Sequence, residues 1–119
     1  FNSIDYIIPV PLHPKKEKLR GYNQSLCIAK GIKEILKIRI IHKNLQRKIN
    51  TESQTKKNKY SRWENVGQVF ELINKNRLNN KHILLVDDVV TTGSTLESCI
   101  ATLKQSEGIK VSIVTIALA

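Results

Sequence analysis

The segment His82 to Glu97, HILLVDDVVTTGSTLE, constrains this chain more than any other. Ile83 to Val86 are apolar at every position, as in a strand buried on both faces. Two adjacent carboxylates, Asp87 and Asp88, come next, and then small hydroxyl residues around one glycine. Ser94-Thr95-Leu96-Glu97 has the spacing of a capping box that opens a helix. Leu96, Cys99, Ile100 and Leu103 fall on one face of that helix, and Gly108 follows its end. Strand, loop and helix in this order predict a ligand site where the strand ends at its carboxyl side, the place where open α/β sheets bind ligands.

Each part of the loop has a chemical use. Backbone N–H groups around Thr92 to Thr95 can converge on an anion at a helix N-terminus. Gly93 lets the backbone turn and come close to the ligand. The hydroxyls of Thr91, Thr92, Ser94 and Thr95 can add donors to phosphate oxygens. Asp87 and Asp88 can accept from two sugar hydroxyls. Two carboxylates beside an anion nest are costly unless something uses them. The loop therefore reads as a grip on ribose 5-phosphate. A phosphorylation receiver domain also opens on a strand and paired acids, but only 31 residues follow Asp88, too few for the rest of such a fold. No GxxxxGK is present, which excludes a P-loop.

The remaining segments frame this site. Tyr6 to Val10 reads as a buried strand, ended by Pro11. From Tyr22 to Lys37, Ile28, Ile32 and Ile35 recur at helical spacing with Ala29 and Leu36, and Lys30, Lys33 and Lys37 lie outside. Arg39 to Ile41, Leu45 to Ile49 and Val69 to Ile73 read as short strands, and Lys110 to Leu118 as the last strand. Asn50 to Asn65 is polar, Lys-rich and without period, and is expected to be a long mobile loop. The order predicts one α/β domain over residues 1–119 with a mainly parallel sheet flanked by helices.

Charge points to an anionic partner. Residues 12–62 hold fifteen of the twenty Lys/Arg and three of the ten Asp/Glu, and the rest of the chain is slightly acidic. No apolar run is long enough to span a membrane, so no membrane partner is expected. Cys27 and Cys99 lack metal-ligand spacing and are expected to be reduced thiols on packed helix faces, in a cytoplasmic protein. The chain starts at Phe1 and contains no methionine, which reads as a fragment.

Ile83 to Thr95 resembles the 5-phosphoribosyl diphosphate (PRPP) signature of type I phosphoribosyltransferases. Pro9-Val10-Pro11-Leu12-His13-Pro14-Lys15, then Leu19-Arg20-Gly21-Tyr22-Asn23-Gln24-Ser25, resembles the ComF/GntX group within that superfamily. So do Gln54-Thr55, the run to Tyr60-Ser61-Arg62, and Asn65 to Phe70. The resemblance implies a type I phosphoribosyltransferase-like fold with a mobile lid. It implies that Asp87 and Asp88 meet the ribose hydroxyls and that Thr91, Thr92, Gly93, Ser94 and Thr95 bind the 5-phosphate. It places pyrophosphate on the turn Leu12-His13-Pro14-Lys15 with Arg20 nearby, and makes Gln54 to Arg62 the lid. Mg²⁺ would bridge pyrophosphate and ribose oxygens without a protein cage. The N-terminal zinc module that members often carry is absent from this sequence.

Two functions follow as expectations. One is an enzyme, often labelled amidophosphoribosyltransferase, that moves phosphoribosyl from PRPP to a nitrogen nucleophile and releases pyrophosphate. Asp87, Asp88 and Arg20 would be its catalytic residues, and no segment stands out as an acceptor-reading hood. The other is a non-catalytic module that binds a nucleotide, PRPP or single-stranded DNA and acts with competence partners in DNA uptake.

Overall fold

The computed structural model describes residues 3–12, 18–19, 21–48, 69–90 and 93–118. Four strands form a parallel sheet: β1 (Tyr6–Pro9), β2 (Arg39–Ile40), β5 (His82–Val90) and β6 (Lys110–Leu118), in the order β2-β1-β5-β6. Two more, β3 (Leu45–Arg47) and β4 (Phe70–Leu72), pair antiparallel in a separate ribbon. Helix α1 (Gln24–Leu36) connects β1 to β2, and α2 (Ser94–Leu103) connects β5 to β6. Parallel neighbours need such crossovers, and each crossover helix covers the sheet it returns to.

The central strand is apolar on both sides because it is covered on both sides. Ile83 and Leu85 join Ile8, Leu96, Cys99 and Leu103 in one core, under α2 and the β3–β4 ribbon. Leu84 and Val86 join Ile7 and Ala29 in a second core under α1. Alternate side chains of one strand thus feed two cores, as the pleat requires. Truncating a side chain such as Leu85, fully buried, is expected to cost about 2–5 kcal/mol.

β5 is longer than the sequence suggested. The apolar run ends at Val86, yet the strand continues through both acids to Val90. Asp87 pairs with Thr115 and Val89 with Ala117 of β6. On the other side, pairing stops earlier. Pro9 is opposite Val86, and Val10 N–H makes a last bond to Val86 O at 2.8 Å. Pro11 has no N–H with which to continue. The sheet edge therefore has a step: Asp87 stands one residue above the end of β1 while still held by β6.

The first helix also departs from expectation. It starts at Gln24, with Asn23 as N-cap accepting from Leu26 N, and ends at Lys37, which takes a left-handed conformation (φ 58°). Ser25 and Ala29 are its buried residues, and these small side chains let the first turns approach the sheet. Ile35 is 80% exposed and Leu36 is at the margin of exposure. β2 is only two residues long and gives the last turn little to pack on. Cys27 faces solvent, contrary to its expected packing, whereas Cys99 is buried; both are free thiols. The expected lid, Asn50 to Asn65, lies outside the described residues.

Candidate functional site

The step at the sheet edge holds the acid pair. Asp87 is buried, at 8% exposure, and Asp88 is half-buried. Asp87 Oδ1 accepts from the Asp88 backbone N–H at 2.9 Å and from the Ser25 hydroxyl at 3.4 Å. Burial raises the Asp87 carboxyl above its usual range, and the Asp88 carboxylate beside it raises it further. The Asp88 N–H and the Ser25 hydroxyl act in the opposite direction. Below Asp87, the Cys99 thiol is pushed up to about 12, first by burial and then by the charge of Asp87.

Beyond β5 the chain enters α2 through Gly93. Its φ of 81° lies in the left-handed region, open to glycine and strained for other residues. Gly93 is itself the N-cap, and Glu97 N–H donates to Gly93 O at 2.9 Å. The expected capping box is thus displaced by one residue: Ser94 is already helical, because the left-handed turn sets the boundary at Gly93. The N–H groups of Thr95 and Leu96 precede the first return bond of the helix and point to its positive end. Thr95 and Ser94 are exposed there.

On the β1 side of the step lies a pocket of about 370 Å³ lined by Pro11, Leu12, Asn23, His42, Lys43, Leu45, Gln46 and Arg47. Among the described residues, its charged lining is basic. The Arg47 guanidinium lies 5.6 Å from the centre of the Phe70 ring, a cation–π distance that fixes its direction. Asn23, at the edge of this pocket, donates from Nδ2 to Val10 O at 3.2 Å, next to the Val10–Val86 bond that ends the pairing.

The structure thus brings Leu12, Asp87, Asp88, Gly93, Ser94 and Thr95 to one edge of the sheet. His13, Lys15, Arg20, Arg62, Thr91 and Thr92 lie outside the described residues. His42, Lys43 and Arg47 were not singled out from the sequence. They stood in the basic stretch only as charge, and nothing local marks them as facing Leu12. Ser25 was read within a motif but without a role. Among the described residues, no three or more His, Cys, Asp or Glu side chains group as metal ligands. No helix among them is long and apolar enough to cross a membrane.

Comparison with known proteins agrees with this geometry. Residues 28–119 match the phosphoribosyl transferase domain. Competence protein F of Haemophilus influenzae is 36% identical over 91 residues, covering 76% of this chain and 40% of that protein. Competence protein ComFC of Bacillus subtilis is 36% identical over 90 residues, 76% of this chain and 34% of that protein. The DNA utilization protein YhgH of Escherichia coli is 34% identical over 92 residues, 77% of this chain and 40% of that protein. The matched stretch is therefore well under half the length of each of these relatives. A purine phosphoribosyltransferase from Pyrococcus horikoshii superposes with a TM-score of 0.63 at 22% identity, covering 98% of this chain and 64% of that one, which shows a shared fold. With the domain match over residues 28–119 and these relatives, the chain belongs to the phosphoribosyl transferase domain family, in its ComF-like type I branch.

Proposed function

We propose that this domain binds PRPP or a related ribose 5-phosphate ligand across the step at Asp87, and that it transfers the phosphoribosyl group to a nitrogen nucleophile with release of pyrophosphate. One observation carries this reading. The two carboxylates, a glycine-capped helix N-terminus and a pocket whose charged lining among the described residues is basic gather at one edge of the sheet. A ligand with a phosphate at one end, a diphosphate at the other and hydroxyls between them matches that set of charges.

In this reading the 5-phosphate sits at Gly93, Ser94 and Thr95, with Thr91 and Thr92 completing the loop. The 2- and 3-hydroxyls of ribose donate to Asp87 and Asp88. The diphosphate would be met by Leu12, His13 and Lys15, with Arg20 and Arg62 as further cations. Lys43 and Arg47 add charge from the pocket. As the bond from ribose to pyrophosphate lengthens, negative charge grows on the leaving group and positive charge on the sugar. Cations held in place stabilise the first, and the acids favour the second. Mg²⁺ carried by the ligand, and not by a protein cage, would supply charge neutralisation. The domain is expected to work in the cytoplasm, where PRPP is made.

A second reading is a non-catalytic module. The names of the relatives, competence and DNA utilization, favour it. The same basic pocket would then take a phosphate of single-stranded DNA or of a bound nucleotide, and the domain would act through competence partners. Pyrophosphate release from PRPP, measured with a panel of purines, pyrimidines and amines, separates the two. Release that depends on an acceptor and is lost in Asp87→Asn supports the transferase. Tight ligand binding with no release under any acceptor leaves the module.

A further inference from the structure

The first turn of α1 touches both parts of the site. Asn23 caps the helix, lines the basic pocket and holds Val10 O. Two residues later, Ser25 is buried at 4% exposure, and its hydroxyl donates to Asp87. Serine in a helix usually satisfies its hydroxyl locally, on the backbone or in water. Here it reaches a carboxylate 62 positions away in the chain. Among the described residues, Ser25 Oγ and the Asp88 N–H donate to the same oxygen of Asp87, Oδ1. Two donors from different directions on one oxygen restrict rotation of the carboxylate about its last bond.

We propose that Ser25 is a positioning residue: its hydroxyl holds the Asp87 carboxylate in the orientation that meets a ribose hydroxyl. This rests on the reading of the acid pair as sugar-binding. Among the described residues, the charged and titratable groups around Asp87 are the Asp88 carboxylate on β5 and the Cys99 thiol on α2, which also feels Arg47 on β3. Asp88 repels the Asp87 charge and the thiol is neutral, so a neutral donor on α1 offsets the repulsion without adding a charge of its own. The contact is long for a hydroxyl donor. Functional contacts often are before ligand arrives, and the expected effect is accordingly moderate.

The test compares the wild-type protein with Ser25→Ala and Ser25→Thr. Alanine suits a helix, and threonine keeps the hydroxyl. The Asp87 carboxyl is titrated by carbon NMR without ligand, and ribose 5-phosphate and inorganic phosphate are titrated by calorimetry. Loss of a donor to the charged form should raise the Asp87 midpoint in Ser25→Ala. It should weaken ribose 5-phosphate about three- to tenfold, in the range of one hydrogen bond, and leave inorganic phosphate unchanged. Ser25→Thr should restore both. An unmoved midpoint with unmoved ribose 5-phosphate affinity overturns the proposal. So does equal weakening of both ligands, or alanine-like behaviour of the threonine variant, since either would mean that Ser25 only packs. Should wild-type protein bind no ribose 5-phosphate while Ser25→Ala still shifts the midpoint, the sugar reading falls and the hold of Ser25 on Asp87 stands.

Discussion

The backbone N–H of Asp88 donates to Oδ1 of Asp87 at 2.9 Å, so the second acid holds the first through its main chain while its side chain repels it. The balance favours the proton. Burial and the neighbouring charge together raise the Asp87 carboxyl above its usual value of 3.8.

A pH dependence with a definite sign follows. Between the usual value and the raised one, the folded chain keeps a proton that the unfolded chain has lost. Stability contributed by this group therefore falls as pH rises through that window, and levels off above the raised value. Ligand binding runs the other way, because the ionised form accepts from ribose hydroxyls: affinity is lost as pH falls through the raised value. Asp87→Asn should remove this part of the stability slope. Urea midpoints against pH, for wild type and variant, check it; identical slopes in the two would show that Asp87 is not the group that titrates.

Gly93→Val should lose ribose 5-phosphate binding by at least an order of magnitude while keeping the fold. The φ of 81° at Gly93 is costly for any side chain and most of all for a β-branched one, with a left-handed penalty of about 1–2 kcal/mol. Nothing among the described residues lies within 4 Å of an added Cβ, so the expected damage comes from the strained turn. Calorimetry and a thermal melt on the same sample decide it. Full affinity in a folded variant would remove this loop from the phosphate site.

Much of this architecture can be read from the residues in order, and the exceptions have physical causes. β5, α2 and β6 were legible because buried apolar runs and a helical face are local patterns. The end of β5 was not. Asp87 and Asp88 look like loop residues, and only pairing with β6, set by tertiary contact, extends the strand through them. The cap at Gly93 was hidden because Ser94-Thr95-Leu96-Glu97 satisfies a capping pattern that a left-handed turn overrides. Ile35 has the right spacing for burial, but spacing cannot show that β2 is too short to cover it. The acid pair was plain in the sequence. The basic pocket was not, since it gathers Leu12, Asn23, His42, Lys43 and Arg47 from three separate stretches.

The two thiols should differ sharply in reactivity. Cys27 is exposed on α1, whereas Cys99 is fully buried and its thiol is pushed up to about 12. The thiolate is the nucleophile, so Cys99 is protected twice, by access and by protonation. Iodoacetamide at neutral to mildly alkaline pH should label one cysteine in the native protein and two in denaturant. Mass spectrometry of the labelled peptides identifies which. Native labelling of Cys99 at a rate near that of Cys27 would contradict the packing of α2 against β5.

Replacing both acids should separate sugar from phosphate. Asp87→Asn with Asp88→Asn is expected to weaken ribose 5-phosphate and PRPP far more than inorganic phosphate. The acids meet hydroxyls, while the helix N-terminus at Gly93 meets the phosphate, and the two parts lie on opposite sides of the Val90 end of β5. Hydrogen bonds to charged groups contribute about 1.5–3 kcal/mol each, so losing two should cost roughly 3–6 kcal/mol for the sugar ligand if they add. Asparagine keeps the shape and an acceptor oxygen, which places the result toward the lower end. For a bare anion the change should be small or favourable, because two negative charges near the nest are gone. Removing the repulsion between the acids should also leave the fold at least as stable above the raised midpoint of Asp87, which a melt of the double variant shows. Titrating both ligands against that variant gives the ratio. Equal weakening of the two would mean that the acids support the loop and do not read ribose. Unchanged PRPP binding would leave a family fold whose ligand enters elsewhere.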